Sequence, residues 1–577
     1  MLSSKVRSGG SGKLDRSRQG GDSRSRITVA FVLILSLVLA ACDATGEAPP
    51  TDPEPAQTTV AQPGETTVSE DDPGDPTQLV IDTSWDHLTA DPARDASNSG
   101  RYILNSVYDT LTKFKPELVG DEWEFDMTNP DPWIAESWSV DDSGRVWTFN
   151  IRQDVSFSDG SPLTAEDAAW SLRRVKNMKA APASNLETFD EITAVDDYIV
   201  QITTLEPNPA VPHILTHNAT GVVNRTVAME NGATDAEDAD LADEAEAFFN
   251  ANSLGSGPYV FRTFSTTAET VLAKNSNFWG EEPFYDQLVF RNVTPEVARI
   301  NVESGATDVA MGLTADQASE LSDSVVVHSA ASATIFYVQA NFKEDVSELA
   351  ASRDLWEAVR YGMDYEKLLN IAGEGAVQAC GLVPTQFNGA LDPSECVTRD
   401  IDRASEALER SGVENPTLTL EYPTDFVLEG VNFQTISEAI AADLEEIGLP
   451  VVLEGAPLAT WLPRWMDALP EMTQGAQNPT FPHENSTAVY LPTGYRGQYA
   501  GFSETDAPDI TELGERAHQT IDDEARAALL QDLQRLLNTE SPIFPQFQSV
   551  AFIAAHPRIQ NVVVLPIFFI DPTILSE

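Results

Sequence analysis

Residues 132–175 read PWIAESWSVDDSGRVWTFNIRQDVSFSDGSPLTAEDAAWSLRRV. Val146 to Ile151 alternates apolar and polar side chains, the period of a strand with one buried face. The preceding Asp141-Asp142-Ser143-Gly144 is a turn, because Asp and Ser bond back to nearby amides and Gly accepts left-handed backbone. Asp159-Gly160 with Pro162 forms a second turn. Thr164 then stands where a helix N-cap belongs, with Glu166 and Asp167 in the first turn, where acids favour the helix dipole. Turn, strand, turn and capped helix within 44 residues indicate an α/β chain.

The alternation continues outward. Leu79-Val80-Ile81 is a short apolar strand. Ile436, Ile440, Leu444 and Ile447 share a helix face that stops at Gly448, and Val451-Val452-Leu453 returns as a strand. Ala525, Leu529, Leu533 and Leu536 mark another helical stripe. Asp235 to Phe249 reads as an acidic, solvated helix. Val562 to Ile570 is too short to cross a membrane and reads as a buried strand. No repeat of 20–50 residues is visible.

The chain has 577 residues, and its 35 Lys+Arg against 91 Asp+Glu give a net charge of −56. A field of that sign repels phosphate and anionic lipid, which excludes a nucleic-acid partner. Ile27 to Ala41 is apolar but, at 15 residues, shorter than a membrane span. It follows a basic head (Lys5, Arg7, Lys13, Arg16, Arg18, Arg24, Arg26), which together describe a secretory signal over 1–41. Leu39-Ala40-Ala41-Cys42 at its end resembles the bacterial lipobox, in which Cys42 would be acylated. Cleavage there leaves a net charge of −61, so a covalent lipid, and not surface charge, would attach the chain to a membrane. Residues 42–76 carry seven Pro and nine acids with no Lys or Arg. They read as a disordered tether spanning about 35 Å as a flexible coil.

Cys380 and Cys396 remain, an even number in an exported chain, and we expect them to be bridged. No catalytic motif appears: no HExxH, GxSxG, GxGxxG or zinc-spaced cysteines. His213 and His217 are four apart but enclose no acid. We therefore expect no enzyme activity, no catalytic residues, no metal site and no cofactor.

Residues 132–175 also resemble the signature of the extracellular solute-binding proteins of family 5, the peptide-, nickel- and oligosaccharide-binding lipoproteins of ABC importers. Ala135 to Trp138, Trp147 to Phe149 and Phe157 to Asp167 carry the match. Gly255 to Tyr259, Asn275 with Phe278-Trp279, Gly305 to Val309, Leu355 to Tyr365, Leu382 to Pro384 and Ser541 to Pro545 follow in the family's order.

This resemblance implies a periplasmic-binding-protein-like α/β fold, type II and cluster C-like, with two hinged lobes. Lobe I would take 77–110, 206–332 and 540–577; an added domain 111–205; lobe II 333–539. It implies a monomeric receptor that closes on a peptide or peptide-like solute and delivers it to membrane permease subunits. A nickel chelate, an opine or an oligosaccharide stays open, as does an exported hydrolase using the same cleft. The implied ligand-facing residues are Trp85 and Asp86 after the first strand, and Tyr337 and Asn341 on the crossing strand. On the second lobe they are Trp461, Arg464, Gln474, Asn478, Phe481, His483 and Glu484. No Asp occurs between Asp467 and Asp506, where peptide-binding members often place one for the ligand's amino terminus.

Overall fold

In the computed structural model the described residues are 77–567 and 570–577, without Asp86, Ala96 and 120–121. The leader, Cys42 and the tether lie outside them. No described helix is long and apolar enough to cross a membrane.

The first strand, β1 (Gln78–Thr83), is followed by a four-stranded antiparallel sheet of β2 (Ala135–Val140), β3 (Val146–Ile151), β4 (Phe189–Asp196) and β5 (Ile199–Thr204), in the order β2-β3-β5-β4. Its alternation buries Trp147, Phe149 and Ile151 against the helix Ala165–Met178. Asp167 holds that helix start by accepting from Thr164 N at 3.0 Å and Thr164 Oγ1 at 2.6 Å. Gly144 takes the left-handed backbone that the preceding turn requires, at φ 70°.

The remaining long strands are β6 (Tyr259–Thr263), β7 (Glu269–Lys274), β8 (Gln287–Asn292), β9 (Val309–Met311), β10 (Val326–Ala340), β11 (Leu418–Pro423), β12 (Val451–Ala456), β13 (Met472–Gln477) and β14 (Ile543–Ala555). With β1 they form one path, β6-β7-β8-β1-β9-β14-β10-β13-β11-β12, and Val377–Gln378 adds a short strand to β14. Only β10 and β14 serve both ends of this sheet. One stretch of the two pairs from Val326↔Ala555 to Ala331↔Val550, and the other from Ile335↔Gln548 onward.

Between these stretches the ladder breaks at Ser332-Ala333-Thr334. Ala333 N donates to Pro566 O at 3.0 Å instead. Thr334 Oγ1 donates to Glu429 Oε1 at 2.6 Å, and Ser549 Oγ donates to the other carboxylate oxygen. Glu429 thus fastens the tip of the hairpin formed by 427–428 and 431–432 to both strands at their break. Buried hydroxyls lacking such an acceptor are costly, so this contact stabilises the register shift between Ala331 and Ile335.

Beyond the break, β10 divides two cores by its period of two. Phe336 and Val338 join one with Trp356 and Leu444, while Ile335 and Tyr337 join another with Trp461, Trp465 and Leu530. Phe336 stacks on Phe547 of β14 at 4.9 Å between centroids. A buried ion network joins the helix Ala165–Met178 to the core that holds Leu79 and Ile81 of β1: Arg174 lies over Phe249 of that core and reaches Asp91 and Asp243, with all three charged side chains at most 1% exposed.

Two local expectations are corrected. Residues 235–249 form two short helices, Ala239–Ala242 and Glu246–Phe249, not one. Asp243 interrupts them, because its carboxylate accepts Thr234 N, Ala245 N and Arg174. The described part of 562–570 is not a strand; Pro566 lacks an N–H, and its carbonyl is used by Ala333.

Candidate functional site

The end of β13 organises the site. Gln477 ends that strand, and Pro479 and Pro482 cannot donate to a continuing ladder. The chain therefore leaves the sheet and turns into the short helix Glu484–Tyr490, capped by His483 Nδ1 accepting from Asn485 N at 3.0 Å.

Two tryptophans back the strand from the helix Leu458–Met466. Four residues apart, Trp461 and Trp465 fall on one face and pack at 4.6 Å between centroids. Trp461 Nε1 donates to Thr473 Oγ1 at 2.9 Å, and Trp465 Nε1 to Gln339 Oε1 at 3.1 Å. Arg464 points elsewhere and grips Glu421 with two nitrogens, at 2.9 and 2.7 Å. Gln474 donates to Gln546 Oε1 of β14 at 2.8 Å. Tyr337 lies opposite Gly475 and packs edge-on to Tyr490 at 5.7 Å. A Cβ at Gly475 would stand 2.7 Å from the Tyr337 ring and 3.1 Å from Trp465, so only glycine lets these rings meet.

Asn341 is fully occupied by the fold. Its amide donates to Ala468 O at 2.7 Å and Pro470 O at 2.9 Å, and its oxygen accepts from Lys343 N at 3.0 Å. Trp85 packs on the core around β1 with Leu79, Ile81 and Phe290, where Nε1 donates to Thr266 O at 2.9 Å and the ring packs on His87. Asp86 and Cys42 lie outside the described residues. Cys380 and Cys396 are joined through sulfur.

The segment after β13 crosses to the added sheet. Phe481 packs on the core containing Trp147 and Phe149. His483 meets His213, from the helix Val211–Ile214, with ring centroids 4.4 Å apart. Burial pushes His213 and His518 down to about 4 and holds His483 well below its ordinary value, so all three rings are neutral at pH 7. Glu484 is buried and accepts from Arg526 Nε at 2.7 Å. Burial raises its carboxyl while the guanidinium opposes that rise.

Arg496 escaped the sequence reading. Its guanidinium lies over Trp465, Tyr495 and Tyr499 at 4.1, 5.1 and 5.7 Å from the ring centroids. Its Nε donates to Gln477 Oε1 at 2.8 Å. The available signal was Tyr495-Arg496-x-x-Tyr499, two aromatics flanking a cation on one helical turn.

A cavity lined by Arg101, Tyr108, Asp109, Lys113, Trp133 and Asp571, among others, contains none of the expected site residues. Asp109 is bound there by Trp133 Nε1, Trp279 Nε1 and Ser256 Oγ. Those contacts make it an internal brace, and the β13 end is the better candidate. Among the described residues no cluster of His, Cys, Asp and Glu is arranged to hold a metal.

A model of bacterial extracellular solute-binding proteins, family 5 Middle, matches residues 129–498. The probable D,D-dipeptide-binding periplasmic protein DdpA of Escherichia coli K12 is 24% identical over 494 residues, 85% of this chain and 92% of that protein. The nickel-binding periplasmic protein of the same organism is 26% identical over 494 residues, 81% of this chain and 88% of that one. Among solved structures, the ABC transporter substrate binding protein CtaP of Listeria monocytogenes shares the fold at TM-score 0.73 and 18% identity, over 87% of this chain and 99% of its own. AgaA of A. tumefaciens, solved with agropinic acid, does so at 0.67 and 18%, over 85% and 95%.

Proposed function

The chain belongs to the bacterial extracellular solute-binding proteins of family 5, and on that premise we propose that it is the capture receptor of an ABC importer. It takes a peptide or peptide-like solute between its lobes, closes, and hands the solute unchanged to permease subunits. The observation that carries this reading is the paired crossing of β10 and β14, broken at 332–334 and bridged there by Glu429. A two-strand connection whose register shifts at Ala331/Ile335 and again at Phe336/Tyr337 permits rotation of rigid halves. A solute touching both halves favours the closed form by its differential affinity.

The lobes in this proposal are 77–110 with 206–332 and 540–577, and 333–539, with 111–205 as the added domain. Cys42 is the lipid attachment point and 42–76 the tether, which would hold the body clear of the membrane as a monomer. Tyr337, Trp461, Gln474, Asn478, Phe481 and His483 are the proposed contributors to the second-lobe wall.

Native mass spectrometry of gently purified protein tests the reading. The expected result is a bound small solute that denaturation releases intact. Conversion of a peptide panel to products by the protein would favour a hydrolase instead.

A further inference from the structure

The added sheet and the second half of the main sheet share no strand, yet their side chains meet. Phe481 packs on the core of Trp147 and Phe149. Ile521 covers the turn at Gly144 so closely that a Cβ there would stand 2.8 Å from Ile521 Cγ1. The same contact gathers histidines from both sides. His213 stands on the helix Val211–Ile214, whose Val211 and Ile214 belong to the added sheet's core. His518 stands on the helix Pro508–Gln519, whose Ile510 and Ala517 belong to the core of Trp461 and Leu530. His483 packs on His213 at 4.4 Å, and Asn485 beside it donates Nδ2 to His518 O at 2.8 Å.

The hydrogen bonds leave no room for a second proton on these rings. Thr128 O only accepts, so His213 Nε2 carries the proton and Nδ1 is bare. Asn485 N donates to His483 Nδ1, so Nε2 carries that ring's proton. His213 Nδ1, His483 Nε2 and His518 Nε2 are all buried without a hydrogen-bond partner. A proton added to His213 Nδ1 would meet no acceptor, and one added to His483 Nδ1 would break the cap of the helix Glu484–Tyr490.

The surrounding charges oppose such protons as well. Arg526 acts on all three rings. Glu484 Oε1 lies 3.6 Å from His483 Nε2 but is already held by Arg526. Asp523 is bound to Arg526 Nη2 at 2.6 Å, and Asp126 accepts from Thr128 N at 2.7 Å. These two acids favour a charged His213, but burial outweighs them and holds that ring down to about 4. Burial does the same at His518, also to about 4.

We propose that the three imidazoles form a proton-operated latch, which holds the added sheet against the second half while neutral and parts them on proton uptake, freeing the captured solute in acidic surroundings. This rests on the capture reading and adds its regulation. The ring nitrogens regain water only when the two bodies separate, so protons bind the open form more tightly. A ring at about 4 when closed and about 6.5 when open stabilises closure fully above pH 6.5 and loses that effect as pH falls toward 4. Each such ring moves the balance about 20-fold toward the open form between about pH 7 and pH 5.

The test uses spin labels at the exposed positions Glu237, beside the added sheet, and Glu445, in the second half. Double electron–electron resonance reads their distance at about pH 7 and pH 5, with the small-molecule fraction released from denatured protein present throughout. The proteins are the wild type and the double variant His213→Phe, His518→Phe, with far-UV circular dichroism run alongside. We expect a short distance at the higher pH, a long one at the lower with unchanged dichroism, and a short distance at both in the variant. In isotope-labelled wild type, NMR of His213 and His518 should show proton uptake over the interval in which the distance lengthens. That measurement stands even where the variant does not fold. A short distance persisting in the wild type at the lower pH would overturn the latch and leave capture intact. So would opening without proton uptake, or a folded variant that opens like the wild type. Opening accompanied by loss of dichroism would also overturn it, because the chain would then be unfolding. No shortening by the fraction at the higher pH would remove the capture reading and the latch with it.

Discussion

His213 and His483 meet edge to face across the boundary between the added sheet and the second half of the main sheet, their ring centroids 4.4 Å apart. His213 Nε2 lies 3.0 Å from Thr128 O, and His483 Nε2 lies 3.6 Å from Glu484 Oε1. Arg526, Asp523, Asp126 and His518 supply the other nearby charges or titrating groups. Both rings are more acidic when folded than when unfolded, so their stabilisation is complete above pH 6.5 and is lost as pH falls toward 4. The shift at His213 corresponds to roughly 3 kcal/mol at most. Melting temperature should fall between pH 6.5 and 4 and fall less in His213→Phe, which keeps an aromatic edge. Identical pH profiles would contradict this role for the pair.

Arg174 is buried between Asp91 and Asp243. Arg174→Met would leave two buried carboxylates sharing only Arg94, which reaches Asp91 at 3.2 Å and Asp243 at 3.1 Å. We expect a loss of about 3–5 kcal/mol, read from the urea unfolding midpoint. A change below about 1 kcal/mol would show that water replaces the guanidinium.

Glu429 is the one carboxylate at the strand break that accepts hydroxyls from both crossing strands. Glu429→Ala should cost about 1–3 kcal/mol. It should also accelerate hydrogen exchange at 332–334 more than at the β10–β14 ladder on either side. Uniform acceleration along both strands would mean that the break is no hinge.

The sulfur bridge between Cys380 and Cys396 closes a short loop in the chain. Its replacement by serines should cost about 3 kcal/mol on chain-entropy grounds. Insensitivity of the wild-type melting temperature to reductant would contradict that.

Cys42→Ser should release the protein from membranes into the soluble fraction. Retention of the variant on washed membranes would remove the proposed anchor.

Local chemistry made much of this molecule legible. The turn at Asp141–Gly144 and the Asp167 cap are decided within a few residues, and strand and helix emerged there as expected. The stripe in Asp523–Glu540 was offset: Leu530, Leu533 and Leu537 are buried, while Leu529 and Leu536 are partly covered. Residues 235–249 had the composition of one helix, but Arg174, distant in sequence, drew Asp243 away. The sheet order was not readable from pattern alone, because β10 and β14 pair across about two hundred residues of chain. Trp461 and Gln474 lie together at the end of β13 because one flanks that strand and the other belongs to it. Asn341 looked similar from its place at a strand end, yet its amide holds 468–470 in place. Arg496 was missed because its surroundings come from separate segments, and none is unusual by itself.

The central claim concerns motion, and the most direct measurement is the distance between the halves. Spin labels at the exposed positions Glu237 and Glu445, read by double electron–electron resonance, report it in the full chain. With the small-molecule fraction released from the denatured protein, we predict a shift from a longer to a shorter distance, reversed by dialysis. A single distance, unchanged by that fraction, would contradict capture by closure.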